Sequence, residues 1–499
     1  MSVPKIPMII NGEPVQSQSG NWIDVLNPAT QEVVAQVPFA TLDEVDQAVA
    51  VAKRAFESWR KVSLAKRQAI MMKFRQLVID NTAELAELIS REHGKTLPDA
   101  EGEVGRGLEA IENACGITRL QLGDIADNVA GDVNVYTLRK PLGVGVGITA
   151  FNFPIMLPCF MFPIAIAAGN TFVLKPSEQD PSSTMRLVEL AHEAGVPAGV
   201  LNVVHGGPDV ANRLADHPDT KALSFIGSTH VGTSLYRRAS EAGKRAQCMM
   251  GAKNHAVIMP DANKEQAINH MIGSCFGAAG QRCMANSVVI LVGEARNWLP
   301  EIVERSKSMI IDEGSNRAAD LGPLVSPAAK ARVEGLIQSG VDQGATLLLD
   351  GRGVTVDGYP NGNFVGPSIF TNVTTDMEIY SQEIFGPVMC VMEAETLADA
   401  VEIINANANG NGTAIFTSSG YHARWYENNV NVGQIGINIP IAVPVAYFSF
   451  TGSRASKLGD LGPNGQEALQ FWTQTTTVSA RWFEPDEQSD GVNTTITMK

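Results

Sequence analysis

The 499-residue chain predicts an α/β protein of two doubly wound lobes with a small β arm. Three patterns carry this expectation. Strand-like and helix-like segments alternate from about Gly143, and a second alternation starts at Asn263. Two further stretches, 124–136 and 473–483, alternate polar and apolar residues without forming a lobe of their own. Alternation of strand and helix implies parallel strands joined by crossover helices.

In chain order, 42–118 reads as long amphipathic helices on the outside of the first sheet. Strands are expected at 144–151, 171–175, 200–204, 222–226 and 256–259. Between them, Asp180 is placed to cap a helix, Pro181 fits its first turn, and Gly195 can end it in a left-handed conformation. In the second lobe Ala267, Ile268, Met271, Ile272 and Cys275 recur at helical spacing. Cys283 follows in a small-residue loop, then strands at 288–292, 346–349, 388–392, 413–417 and 434–437. A lone strand at 473–483 would be marginal in water, so it pairs either within the chain or across subunits.

Composition bounds the function. The chain is 44% apolar and 18% charged, ordinary for a soluble globular protein. A net charge of -15 argues against nucleic acid or anionic membrane as a partner. The most apolar run, 154–169, is too short to span a bilayer and is interrupted by Pro154, Pro158 and Pro163, so it reads as buried and partly helical. Six scattered cysteines, with no CxxC and no Cys/His cluster, suggest a reducing compartment and no structural metal. The start of the chain lacks a secretory pattern, and the expected location is cytoplasmic.

Several motifs bear on chemistry. Gly143-Val144-Gly145-Val146-Gly147 is a poor phosphate loop, because no helix opens there, and its glycines suit close strand packing. Lys175-Pro176-Ser177-Glu178 follows a strand, where a carboxylate can accept bonds from a ribose diol and repel a 2′-phosphate. Gly227-Ser228-Thr229 lies between a strand and a helix start, where free N–H groups can meet a pyrophosphate or Ser228 can simply cap the helix.

Six motifs in order resemble the aldehyde dehydrogenase superfamily: Phe151-Asn152-Phe153-Pro154, Leu174 to Ser177, Phe225 to Ser228, Gly280-Gln281-Arg282-Cys283, Gln382 to Pro387, and Asn438. The resemblance runs from about Ile10 to Phe483. Gly251 to His255, Gly280 to Ala285, Gly358 to Gly366 and Phe448 to Arg454 look like its CoA-acylating methylmalonate-semialdehyde dehydrogenases. That implies a Rossmann-type NAD-binding domain over 1–122 and 142–250. It also implies a catalytic domain over 251–444, and an oligomerisation arm and tail over 123–141 and 470–499 in a homotetramer, a dimer of dimers.

By the resemblance, Cys283 is the nucleophile, and the Asn152 side chain and the Cys283 N–H receive the oxyanion. Phe151, Lys175, Glu178, Ser228, Met250, Glu383 and Phe385 contact NAD, and no metal takes part. Arg106 and Arg282 grip a substrate carboxylate. Hydrolytic members carry a water-activating glutamate where this chain has Met249. A thioether accepts no proton, whereas a thiol with pKa near ~8.5 ionises far more readily than water. The expected product is therefore an acyl-CoA, released after loss of CO2 from a 3-oxo acid, in valine, inositol or β-alanine breakdown. Alternatives are a hydrolytic dehydrogenase using another glutamate, a cysteine hydrolase using His255 or His270, and a catalytically silent binding protein. Departures from the family pattern occur at Gln179, Asn286, Asn405 to Gly410 and Val443 to Tyr447.

Overall fold

The structure, a computed structural model, describes residues 3–488, 491, 492 and 494. The first two residues of the expected 1–122 segment lie outside that set. So do 489, 490, 493 and 495–499 of the expected tail.

Five parallel strands form the centre of the first sheet, in the order Leu201–Val203, Thr171–Lys175, Val144–Ile148, Thr220–Ile226 and Arg245–Met249. Numbered along the chain this is 3-2-1-4-5, the doubly wound order, and it reverses between Val144–Ile148 and Thr220–Ile226. All five residues of Val144–Ile148 are buried, as a parallel strand covered on both faces requires. Gly145 and Gly147 lie against Phe172, which supports the packing reading of those glycines. Short antiparallel strands extend the edges, Met8–Ile10 with Glu13–Val15 on one side and Lys457–Leu458 on the other.

The second sheet runs Thr346–Leu349, Ser368–Thr371, Val388–Ala394, Val288–Val292, His255–Ile258, Gly412–Phe416 and Gln434–Ile437. All neighbours are parallel except the first pair. The strand expected over 256–259 therefore closes no first alternation. It pairs with Val288–Val292 and Gly412–Phe416 and opens the second lobe. The first strand also ends earlier than expected, at Ile148 rather than 151. Beyond it the backbone leaves the ladder ahead of Pro154, which has no N–H to contribute, and Phe151 and Asn152 sit on a loop.

Helices Leu42–Trp59, Leu64–Asp80, Thr82–His93 and Leu97–Cys115 precede the first sheet, as expected. The apolar run forms two short buried helices, Met156–Cys159 and Phe162–Ala167. Helix Pro181–Ala194 ends at Gly195 with φ 111°, but the Asp180 side chain makes no capping bond. Glu92 takes that place, its carboxylate accepting from the Ser182 N–H at 2.9 Å. Thr473–Arg481 pairs antiparallel with Val133–Pro141 over nine residue pairs, and that strand pairs with Ile125–Ala130. The tail strand thus finds its partner within the chain and stands at an edge of a three-stranded sheet.

Candidate active site

Helix Lys264–Phe276 runs into a turn, Gly277–Gly280, in which Ala278 and Ala279 both adopt φ 53°. Gly280 follows at φ 70°, where an added Cβ would sit 2.0 Å from the Gly386 carbonyl oxygen. No other residue fits there, so the turn presses the Cys283 loop against the segment that carries Glu383 and Phe385. Two asparagines fix the loop beyond it. Asn254 Nδ2 donates to the carbonyls of Cys283 and Ala285 at 2.8 and 3.1 Å, and Asn411 Nδ2 donates to Cys283 at 3.0 Å. Sequence reasoning missed both. Asn254 stood within the Gly251 to His255 motif, where its amide was a readable donor.

Cys283 is half-buried and borders a cleft of about 260 Å³. The same cleft is lined by Phe151, Asn152, Ser228, Met250, Glu383 and Phe385. Seven residues from distant parts of the sequence meet there. Burial, and then the Glu383 carboxylate, push the Cys283 thiol up to about 12, against the pull of the Cys283 and Met284 N–H groups and of Arg282. Cys283 therefore rests as a thiol. Asn152 is buried, and its Nδ2 donates to the Gln281 carbonyl at 3.1 Å, two residues before the sulfur.

Burial also raises Glu383 to about 7, while the Ala252 N–H, Lys253 and Arg332 favour its charge. Lys253, fully enclosed, donates to the carbonyls of Ile379 and Gln382 at 2.7 and 2.8 Å. Arg332 donates to those of Ile384 and Glu383, each at 2.6 Å. Phe385 is held at φ 57°, and its ring meets Phe151 edge to face at 5.7 Å. Lys253 and Arg332 were also missed by sequence reasoning, because their partners are backbone carbonyls that no motif names.

Through Ala150, Phe151, Ile226, Gly227 and Ser228 this cleft continues into a larger one of about 480 Å³. It opens at the carboxyl ends of Val144–Ile148 and Thr220–Ile226, the point of strand-order reversal. Lys175 and Glu178 line it, joined by a 2.8 Å ion pair. Ser228 stands at the start of helix Thr229–Glu241 without a side-chain cap bond, so the terminal N–H groups stay available to an anion. A carboxylate just beyond a strand end, a helix terminus and a switch-point crevice fit a dinucleotide. Met249 is buried at the end of its strand, paired with Ile226 on one side and Lys457 on the other.

The two arginines are not assembled onto this cleft. Arg282 is bound to Asp99 at 2.6 Å and, with Cys283, borders a separate hollow of only about 10 Å³. That volume holds at most about one water, so any other anion would reach Arg282 only by displacing Asp99. Arg106 is engaged bidentately by Glu109 at 2.7 and 2.9 Å and donates to the carbonyls of Val443 and Pro444. His255 bonds Tyr380 at 3.0 Å, and burial pushes its pKa down to about 3. His270 is exposed and stacks on Phe416. Neither histidine lines the Cys283 cleft. Among the described residues no helix is long and apolar enough to cross a membrane, and no acidic, cysteine or histidine cluster is suited to a metal ion.

A family model described as "Aldehyde dehydrogenase family" matches residues 15–478. The chain is 52% identical over 485 residues to the acylating methylmalonate-semialdehyde/malonate-semialdehyde dehydrogenase, mitochondrial, of Bos taurus, covering 97% of this chain and 90% of that one. Identity to the Homo sapiens protein of the same name is 51%, with 97% and 91% covered. A crystal structure of methylmalonate-semialdehyde dehydrogenase from Oceanimonas doudoroffii superposes with a TM-score of 0.95 at 42% identity, covering 97% and 99% of the two chains. One from Sinorhizobium meliloti 1021, named for the same enzyme and complexed with NAD, gives 0.96 at 44% with the same coverage. The mitochondrial names of these relatives overturn the expectation of a cytoplasmic location. Scattered cysteines without disulfide spacing do not distinguish one compartment from another. The chain belongs to the aldehyde dehydrogenase family.

Proposed function

We propose that this chain is an NAD-dependent, CoA-acylating dehydrogenase. It converts methylmalonate semialdehyde to propionyl-CoA, and malonate semialdehyde to acetyl-CoA, with loss of CO2. One observation carries the choice of acceptor: a buried methionine, Met249, stands where hydrolytic members carry their base, close behind a cleft that holds Cys283 and Asn152. The names of the relatives at about half identity support the substrate class.

Cys283 Sγ loses its proton to solvent and bonds to the aldehyde carbon, and the carbonyl pair moves to oxygen. The Asn152 amide and the Cys283 N–H are the donors for that oxygen, where preorganised dipoles act most strongly. NAD, when bound, supplies the hydride acceptor. Glu178 and Lys175 hold its adenosine ribose and Ser228 its pyrophosphate. Glu383 takes the nicotinamide ribose, with Phe151, Met250 and Phe385 packed around that end. Arg282 and Arg106 exchange Asp99 and Glu109 for the substrate carboxylate. The C–H bond of the adduct breaks with departure of hydride, and the C=O re-forms. In the resulting thioester of Cys283, the bond to the carboxylate carbon breaks, CO2 leaves, and the electron pair enters the thioester carbonyl before protonation. The CoA thiolate then bonds to the acyl carbon and Cys283 leaves as the thiolate.

In this reading 1–122 and 142–250 bind NAD and 251–444 carries catalysis, a division that the two separate sheets support. The arm over 123–141 and the tail over 470–499 serve assembly into a homotetramer, a dimer of dimers, which the edge position of Thr473–Arg481 supports. A second reading has one observation behind it. Glu383, at about 7 in the Cys283 cleft, is a carboxyl able to accept a proton from water. NADH formation from malonate semialdehyde with and without CoA separates the two. Dependence on CoA with acetyl-CoA as product supports thiolysis, and equal turnover to a free acid without CoA supports hydrolysis.

A further inference from the structure

Behind Asn152 lies an ion pair that the steps above do not use. Lys95 Nζ is 2.5 Å from Glu103 Oε2, and neither side chain has any exposed surface. The lysine also donates to the backbone carbonyl of Asn152 at 2.9 Å and lies 4.0 Å from the centroid of the Phe153 ring. The other Glu103 oxygen accepts from the N–H groups of Ile155 and Met156 at 2.8 and 3.3 Å. One pair of charges thus holds a residue on each side of Pro154, whose own carbonyl accepts from the Thr184 hydroxyl at 2.6 Å.

Burying two charges is expensive, and an apolar pair of similar volume is often as stable or more so. What the charges add is direction, through short charge-assisted bonds to particular backbone atoms. The anchors are themselves rigid. Glu103 is in the body of helix Leu97–Cys115, and Lys95 follows Gly94, which ends helix Thr82–His93 at φ 87°. A Cβ on Gly322 would lie 2.0 Å from the Gly94 carbonyl oxygen, and the Leu97 N–H donates to the Gly314 carbonyl at 2.9 Å. The Lys95 turn is therefore clamped by residues from the part of the chain that follows Cys283. On the opposite side, the Asn152 amide reaches the Gln281 carbonyl in the cysteine loop.

We propose that Lys95 and Glu103 are positioning residues for Asn152: they fix its backbone so that its amide meets the oxygen of the Cys283 adduct. The proposal rests on the reading of Asn152 as an oxyanion donor. Neither charged residue lines the cleft, so their effect on turnover passes through the 152–156 segment.

The test is a cycle on kcat and KM with malonate semialdehyde, NAD and CoA. It compares Asn152→Ala, the charge-neutral double variant Lys95→Met/Glu103→Gln, and the triple variant. The double variant leaves no unpaired buried charge, and Lys95→Met alone serves as a second probe, because burial favours a protonated, neutral Glu103 that keeps its acceptor for the Ile155 N–H. NAD titration and thermal melts accompany each variant. Asn152→Ala should lower kcat roughly 100-fold, as loss of one oxyanion donor does. The double variant should lower it roughly 10- to 100-fold with KM little changed, as misplacement of a catalytic group does. The triple variant should be no slower than Asn152→Ala. Wild-type kcat in the double variant beside an impaired Asn152→Ala would overturn the proposal alone, and so would losses that multiply in the triple variant. An unimpaired Asn152→Ala would overturn the oxyanion reading and the proposal with it.

Discussion

Cys283 and Glu383 face one cleft, and the Glu383 carboxylate opposes ionisation of the Cys283 thiol. With the thiol pushed up to about 12, its thiolate fraction at pH 8 is on the order of 10³-fold below that of a free cysteine. Alkylation of Cys283 by iodoacetamide should therefore be slow and rise steadily with pH. Glu383→Gln removes the repulsion and should speed it several-fold at pH 8. Mass spectrometry of the Cys283 peptide against time reads both rates, and an unchanged rate in the variant would mean that Glu383 does not govern the thiol.

Glu383 also makes stability depend on pH. Its carboxyl is raised from 4.5 to about 7 by burial, so the folded chain binds this proton more tightly than the unfolded chain. The stabilisation from the bound proton is complete below about pH 4.5 and is lost as pH rises through about 7. Without NAD, Glu383→Gln should match the wild type at low pH and exceed it by up to about 3 kcal/mol near pH 8 to 9. Urea unfolding at both pH values checks the sign. A variant less stable at pH 8 would contradict it.

Restoring a carboxylate at position 249 should redirect the thioester. A positioned general base contributes roughly 10²- to 10⁴-fold. Met249→Glu should therefore release free acid without CoA at least about 100-fold faster than the wild type, with some loss of stability because the site is buried. Product analysis without CoA measures this directly. Free acid at the wild-type rate would show that residue 249 does not decide the fate of the acyl group.

Because Asp99 occupies Arg282, the pair should tune affinity for acidic aldehydes and leave neutral ones alone. Arg282→Met should raise KM for malonate semialdehyde roughly 10- to 100-fold, the range expected for a lost charge-assisted contact. Asp99→Asn should lower it, and neither should alter KM for propanal. A change of equal size with propanal would assign the pair to loop structure.

Much of this was readable from residues alone, for identifiable reasons. Strands such as Thr171–Lys175 and Val288–Val292 are unbroken apolar-rich runs, and their doubly wound setting followed from the alternation. The strand Ser368–Thr371 and the edge strand Lys457–Leu458 are too short to show a period, and they form because a neighbouring strand offers its edge. Cys283 and Asn152 were legible as candidates, and the fold brings them to one cleft. Lys253 and Arg332 were not, because a cation bound to backbone carbonyls has no partner that spacing can reveal, and Lys95 was not, because only the fold brings Glu103 and the Asn152 carbonyl to it. Arg106 and Arg282 were legible as cations; Glu109 stands three residues beyond Arg106 on one helix, whereas Asp99, the partner of Arg282, emerged only from the fold.

In the proposed mechanism an acyl group waits on Cys283 until CoA removes it. The most direct measurement is mass spectrometry of the intact protein after malonate semialdehyde and NAD are added without CoA. An acetyl group on the Cys283 peptide, together with one equivalent of NADH and prompt release as acetyl-CoA when CoA is added, is the result expected. An unmodified Cys283 with continuing formation of free acid would contradict the claim.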